Sequence, residues 1–213
     1  MRRKTIYLIR HGETDYNRRG VVQGSGIDAE LNDMGKAQAD AFYDAYGHVP
    51  FDKIYTSRLI RTQQSVAQFI RSGIPYESFS GLNEISWGIY EGTAHTSGGE
   101  STPYKDILQS WKDGHTNLAL EGGESPVQVR DRQLPVIRHI LSQTQERNIL
   151  IATHGRAMRI LLATLLNESL AQMDKYAHNN LCLYKLDYNA GDNKIEILQS
   201  NDITHLLTLH VAG

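Results

Sequence analysis

Hydrophobic positions along the chain recur with two different periods, and the alternation between them predicts the elements. TIYLIR (5–10) is an unbroken apolar run rich in β-formers, the pattern of a strand buried on both faces and therefore central in a sheet. After the glycine-rich stretch RRGVVQGSG, Ala37, Ala41, Phe42 and Ala45 fall at helical spacing. This predicts a helix capped by Asn32 or Asp33, running to about Tyr46 and stopped by Gly47. FDKIYTS reads as a second strand. RLIRTQQSVAQFIRSG reads as a second helix opening at Arg58, with Leu59, Val66 and Phe69 on one stripe and Gly73 and Pro75 at its end. From about Gly81 to Gly123 the periodicity dissolves into glycines, histidines and tryptophans, with one short helix from Pro103 to Lys112, so this segment reads as a lid or insertion.

Order resumes at ESPVQVRDRQLPVIRHILSQTQ. Ser125 as N-cap, Pro126 at the first helical position and Gln128 at the third form a capping box, and Pro135 should kink the helix that follows. NILIAT is then a strand and HGRAMRILLATLLN a helix. NNLCLYKLDYN and NKIEILQSN are two further strands joined by the turn-prone NAGDN. Strands alternating with helices predict an α/β fold: a three-layer sandwich with a mostly parallel central sheet flanked by helices, plus the lid insertion. The 213 residues, 40% apolar and 22% charged, suffice for a single domain over 1–213 with the insertion at about 81–123.

Charge and cysteine content narrow the partners. A net charge of −2 with interspersed signs provides no general basic field for nucleic acid or an anionic membrane, so any anion site must be local. The one cysteine, Cys182, lies in the alternating run LCLYKL and reads as a small core residue. No apolar segment reaches the roughly 18 residues that span a bilayer, and MRRKTIYLIR lacks a signal peptide's cleavage region, so the expected compartment is cytoplasmic. The nine histidines show no HExxH, no closely spaced Cys/His set and no carboxylate-rich loop, so the expected chemistry uses neither metal nor cofactor.

Two strands end alike: YLIR runs into His11-Gly12, and LIAT runs into His154-Gly155. In a doubly wound sheet both histidines emerge at the same carboxyl edge, where such folds place their ligands. One histidine after a strand is ordinarily structural; two, with Arg10 beside the first, point to a shared site. A third strand end, YTS, opens the helix bearing Arg58 and Arg61, which share a face, although helical arginines are ordinarily solvated surface charges. A phosphoryl group suits this set. Guanidinium forks from Arg10 and Arg61 grip its oxygens, and a neutral His11, kept so by the arginines, attacks phosphorus. Glu84 in GLNEISWGIYEG is the candidate proton donor for the leaving oxygen, with Glu91 the weaker one; the apolar Leu82, Ile85 and Trp87 around Glu84 are expected to raise its pKa.

LIRHGET, SRLIRT and THG, in that order between residues 5 and about 166, resemble the three signatures of the histidine phosphatase superfamily, in the branch of cofactor-dependent phosphoglycerate mutases and fructose-2,6-bisphosphatase. The resemblance implies a phosphoglycerate mutase-like fold. It matches His11 to the histidine that becomes phosphorylated, Arg10 and Arg61 to the phosphate-binding arginines, and His154, followed by Gly155, to the second histidine of the site. Asn17 and the Gln23-Gly24 turn match further phosphate or substrate contacts. Glu84 matches the acid/base, and Arg58 falls at a variable position of S-x-L-x-R-T, where it is a candidate reader of a second anionic group. Glu91 then reads as structural or substrate-facing. The implied activity is hydrolysis of a small phosphorylated metabolite without metal or cofactor. The alternatives are mutase-type phosphotransfer, disfavoured because only 70 positions separate Glu84 from His154, and a non-catalytic phospholigand-binding module. Trp87, Tyr90, His95, Tyr104, Trp111 and His115 either contact substrate or pack the lid, and the sequence leaves open whether the chain forms a homodimer.

Overall fold

The protein was analysed as a computed structural model that describes residues 3–94 and 102–210. Among these the element order is β1 (Arg3–Arg10), α1 (Asp15–Arg18), α2 (Asp33–Tyr46), β2 (Lys53–Ser57), α3 (Ile60–Ser65), α4 (Ala67–Arg71) and β3 (Tyr76–Phe79). Then come α5 (Pro103–Lys112), α6 (Pro126–Ser142), β4 (Asn148–Thr153), α7 (Gly155–Leu165), β5 (Leu183–Asn189) and β6 (Lys194–Asp202), with short 3-10 turns between. The sheet order is β3-β2-β4-β1-β5-β6. β1, β4, β2 and β3 pair in parallel, while β5 is antiparallel to both its neighbours. The expected parallel sheet is therefore a mixed one in which β5 alone runs against the rest, because the short NAGDN turn permits only an antiparallel hairpin between β5 and β6.

Successive residues of β1 feed opposite faces, as a pleated strand requires. Ile6 and Leu8 join Ile149, Ile151, Val129, Ile137 and Leu161 under α6 and α7. Tyr7 and Ile9 join Leu150, Ala152, Ile54, Phe42 and Phe69 under α2 and α4. Burial on both faces explains why β1 and β4 read as continuous apolar runs rather than alternating ones. Caps follow the sequence closely. Asn32 accepts from Gly35 N at 2.8 Å, and Ser125 and Gln128 form the reciprocal capping box. α6 continues unbroken through Pro135 to Ser142.

The described residues of the segment from about 81 to 123 pack onto the first of these cores. Leu82, Ile85, Trp87, Ile107 and Trp111 are all buried there, and the Trp87 and Trp111 rings stack at 5.6 Å. Its helix occupies the predicted span, with Thr102 as cap and Pro103 at its first position. His95, one of the candidate contacts, lies outside the described residues. Two expectations change. The second helix begins at Ile60 rather than Arg58 and is interrupted at Val66 (φ −119°, ψ 15°), and an unanticipated strand, Tyr76–Phe79, adds an edge to the sheet. Among the described residues no helix is long and apolar enough to cross a membrane.

Candidate active site

Register sets the frame of the site. Arg10 pairs with Thr153 in the β1–β4 ladder, and the His11 amide continues it by donating to Thr153 O at 3.0 Å. His11 and His154 thus leave adjacent parallel strands side by side, their ring centroids 5.2 Å apart. Ser57 stands at the same edge, at the end of β2, and Arg61 comes from the first turn of α3.

The hydrogen bonds assign each imidazole a tautomer. His11 Nδ1 lies 2.6 Å from Gly12 O, a pure acceptor, so Nδ1 carries the proton and Nε2 keeps its lone pair, with no partner among the described residues. Burial, then the charges of Arg61 and Arg10, hold the His11 pKa well below the ordinary imidazole value, so the ring is neutral. His154 is arranged oppositely. Arg61 Nε donates to its Nδ1 at 3.2 Å, so Nε2 carries the proton and donates to Ser57 Oγ at 2.8 Å. It too is kept neutral by burial and by Arg61.

Arg61 is fully buried, and two more of its N–H groups reach Ile27 O (2.7 Å) and Gly24 O (3.2 Å), leaving two of its five donors free. Burial lowers its pKa to about 10, still cationic at neutral pH. Arg10 donates Nη1 to His178 O at 2.7 Å, whereas its buried Nε has no partner among the described residues. Gln23 is similar: Oε1 accepts from Thr14 Oγ1 at 2.9 Å and the buried Nε2 is unpaired. Asn17 Oδ1 accepts from Thr14 N and Asn180 Nδ2, which turns the other end of the amide to the cavity it borders. These orphan donors are what an anion would satisfy, since buried polar groups otherwise find partners.

The cavity itself, about 290 Å³, is lined by Arg10, Asn17, Gln23, Glu84, Gly155 and His178, with Trp87 and Tyr104 as aromatic walls and Arg156 and Arg159 on one side. A side chain at Gly155 would place Cβ 3.3 Å from the His178 ring and 3.4 Å from Arg10 Nε, filling the cradle. Glu84 is only 7% exposed. Its carboxylate does not rest among apolar side chains alone, as its sequence neighbours suggest. Oε1 accepts from Ile85 N (2.9 Å) and Ala157 N (2.8 Å), and Oε2 from Arg156 N (3.1 Å), so it docks on the opening turn of α7.

From behind, Arg132 clamps the Glu84 loop. Its guanidinium donates to Gly81 O (2.9 Å), Asn83 O (3.0 Å) and Glu84 O (2.9 Å) while forking onto Glu124 at 2.8 and 3.0 Å. Glu124 Oε2 in turn accepts from Ser86 N.

Several sequence expectations shift here. Arg58 is exposed and outside α3; its amide is taken by Asn83 Oδ1, and Ile60 N by Asp28 Oδ1, so this helix start offers an anion nothing. Gly24 does not line the cavity: its carbonyl fixes Arg61, and a Cβ there would collide with Glu91 Oε1 at 2.1 Å. Glu91 is structural, accepting from Trp87 N at 3.1 Å and Gly26 N at 3.3 Å. Gly12 is required for close approach: a Cβ would sit 2.7 Å from Gly35 O in the first turn of α2. Of the described aromatic candidates only Trp87 and Tyr104 line the cavity, while Trp111 is buried and His115 is exposed. Cys182 is buried, its thiol pushed up to about 12 by burial. Sequence reasoning passed over Arg156, Arg159, His178 and Arg132. The i, i+3 pair of arginines after His154-Gly155 was the available signal.

Comparison with known proteins is consistent across methods. A sequence model of the histidine phosphatase superfamily (branch 1) matches residues 6–201. Glucosyl-3-phosphoglycerate phosphatase of Mycolicibacterium vanbaalenii is 31% identical over 174 residues, covering 78% of this chain and 76% of that protein. The 6-phosphofructo-2-kinase/fructose-2,6-bisphosphatase 1 of Rattus norvegicus is 33% identical over 167 residues, 78% of this chain; the chain spans only 33% of that longer protein. Among solved structures, a mycobacterial glucosyl-3-phosphoglycerate phosphatase superposes with TM-score 0.81 at 25% identity, covering 94% of this chain and 99% of that one. Bacillus stearothermophilus YhfR gives TM-score 0.81 at 25% identity, covering 95% and 99%.

Proposed function

Because the chain belongs to the histidine phosphatase superfamily (branch 1), we propose that it is a phosphomonoesterase that hydrolyses a small organic phosphate through a phosphohistidine on His11. One observation carries the reading: the Nδ1–H of His11 is engaged by Gly12 O, which leaves the lone pair on Nε2 of a ring kept neutral by burial and by the charges of Arg61 and Arg10. In the first step Nε2 attacks phosphorus, the phosphorus–oxygen bond to the alcohol breaks in line, and Glu84 gives the departing oxygen a proton. In the second, Glu84 takes a proton from water, whose oxygen attacks phosphohistidine and returns Nε2 with its lone pair. Arg10 Nε, the free donors of Arg61, Asn17 Nδ2 and Gln23 Nε2 stabilise charge on the transferring oxygens. His154 holds Arg61 in place through its Nδ1. Gly155 keeps the cradle open.

The test is rapid-quench trapping with a phosphate-labelled ester: acid-labile label on His11, lost in His11→Ala together with hydrolysis, is the expected result. Hydrolysis retained in pure His11→Ala protein refutes the reading. Product analysis with 3-phosphoglycerate and its 2,3-bisphosphate separates hydrolysis from phosphotransfer, since isomerised phosphoglycerate formed faster than free phosphate would assign a mutase.

A further inference from the structure

The backbone of His11 is gripped on two sides. Its amide donates to Thr153 O on β4, and its carbonyl accepts from Asn180 Nδ2 at 3.1 Å and from the Leu181 amide at 3.3 Å. The loop that supplies those two donors, residues 178–181 ahead of β5, touches the site twice more. Asn180 Nδ2 also reaches Asn17 Oδ1 at 3.2 Å, and His178 O accepts from Arg10 Nη1 at 2.7 Å. Leu181 is the strained member. It is fully buried with φ +51°, a left-handed conformation unusual for a branched apolar residue, and its Cδ2 lies 3.0 Å from where a Cβ on Gly12 would stand. Such a conformation persists only where its surroundings over-determine it.

Part of that support comes from the other end of the chain. Asn201, near the end of β6 with φ +47°, forms a reciprocal pair with Asn179: Asn179 N donates to Asn201 Oδ1 at 3.0 Å, and Asn201 Nδ2 to Asn179 Oδ1 at 2.8 Å. His205, in the 3-10 turn Thr204–His210, brings Nε2 to 3.0 Å from Leu181 O. A carbonyl only accepts, so Nε2 carries the proton. The ring packs edge-on against Phe42 and Tyr46, with centroids 5.2 and 5.8 Å apart, and its buried Nδ1 has no partner among the described residues. A phenyl ring would fill this niche without an unsatisfied nitrogen, so what the imidazole adds is its one bond, to Leu181. We infer that Asn201 and His205, which do not line the cavity, are positioning residues for the proposed reaction: they lock the 178–181 loop, and through it the main chain of His11. The inference rests on the phosphohistidine reading above.

Two measurements test it: single-turnover rapid quench with a phosphate-labelled ester, and the NMR resonances of the His11 ring nitrogens, assigned by their loss in His11→Ala. His205→Phe keeps a ring in the niche and removes the donor, and Asn201→Gly keeps the positive φ and removes the amide. Each is expected to slow phosphohistidine formation at saturating ester by about tenfold, because small misplacements of a reacting group are costly, and to shift or broaden the His11 signals without ester. His205→Gln still offers an N–H to Leu181 O and should recover much of the rate. The double variant should lose less than the product of the single losses, since both residues act on one loop. Lost stability alone moves none of these in folded protein well below its melting temperature. Asn201→Gly, which leaves the aromatic niche intact, carries the test if His205→Phe does not fold. Unmoved His11 signals in the folded variants, or phosphohistidine formed at the rate of an active wild type, overturns the inference. Shifted signals in the variants with no phosphohistidine in the wild type would sink the phosphatase reading and leave the positioning of His11 standing.

Discussion

Replacing Arg132 with alanine should cost stability and turnover together, and the two losses have separate origins. The guanidinium forks onto Glu124 and gathers the carbonyls of Gly81, Asn83 and Glu84, with the Arg132 and Glu124 side chains 23% and 26% exposed. Charge-assisted hydrogen bonds contribute about 1.5–3 kcal/mol each when buried, a figure to be discounted for partial exposure and shared geometry. The whole clamp is therefore worth about 3 kcal/mol, which for a chain of this size lowers Tm by roughly 6–12 °C. Glu124 adds a pH signature. Burial raises its pKa, but the Arg132 hydrogen bond and charge, with the Ser86 amide, outweigh this and lower it below 4.5. A depressed carboxyl stabilises the fold fully above its unfolded value and loses that contribution as pH falls through the folded one, so the gap between wild type and variant should narrow as pH falls below 4.5, down to the part due to the carbonyl bonds, which do not titrate. In catalysis Glu84 keeps the three amides that hold its carboxylate, so kcat should fall about tenfold rather than by the 10²–10⁴ of a lost general acid, with KM little changed because Arg132 lies outside the cavity. Urea unfolding from pH 3 to 8 and steady-state kinetics measure both. A variant that unfolds earlier yet keeps its kcat would show that the clamp does not position Glu84, and a stability gap that persists undiminished at pH 3 would refute the role given to Glu124.

Three further outcomes follow from the geometry. Because the His11 pKa is lowered, the neutral ring persists as pH falls, so kcat/KM, corrected for the substrate's own second ionisation near about pH 6, should show no added acid limb at 6.5; one appearing there would contradict the proposed tautomer and charge state. Ser57→Ala removes the acceptor of His154 Nε2–H and leaves a buried donor unsatisfied, which should destabilise the chain by about 1–3 kcal/mol in urea unfolding and slow turnover. Gly12→Ala drives a Cβ to 2.7 Å from Gly35 O, and since backbone must yield, about 1–3 kcal/mol should be lost; an unchanged melting curve would remove the close-approach argument.

What was legible in the sequence depended on how local its cause is. β1 and β4 declared themselves because burial on both faces leaves no polar positions, and α5 and α6 because Pro103, Ser125, Pro126 and Gln128 cap them within one turn. Tyr76–Phe79 stayed hidden: a four-residue edge strand with no fully buried residue carries no hydrophobic period. The break at Val66 is equally non-local in part. Ser65 Oγ bonds back to Arg61 O at 2.6 Å and accepts from Gly12 N at 2.9 Å, tying the helix to the end of β1 rather than to its own continuation. Within the site, His11, Arg10, Arg61 and His154 could be read from motif and strand ends. Two of the three amides that hold Glu84 come from α7, the first 72 positions later, and Arg132 acts through contacts that no local pattern encodes.

The pairing of β1 with β4 has a consequence beyond placing two histidines. Their separation is set by the central ladder of the sheet, among the segments expected to open only when the whole chain unfolds, whereas the cavity walls Trp87 and Tyr104 belong to the inserted segment, in a short turn and in α5. On the proposed function, phosphoryl chemistry and substrate choice fall to different parts of the fold. Drift in the periphery would retune which ester enters long before it disturbed the spacing that cleaves it, so selectivity is the property of this architecture most open to change by mutation.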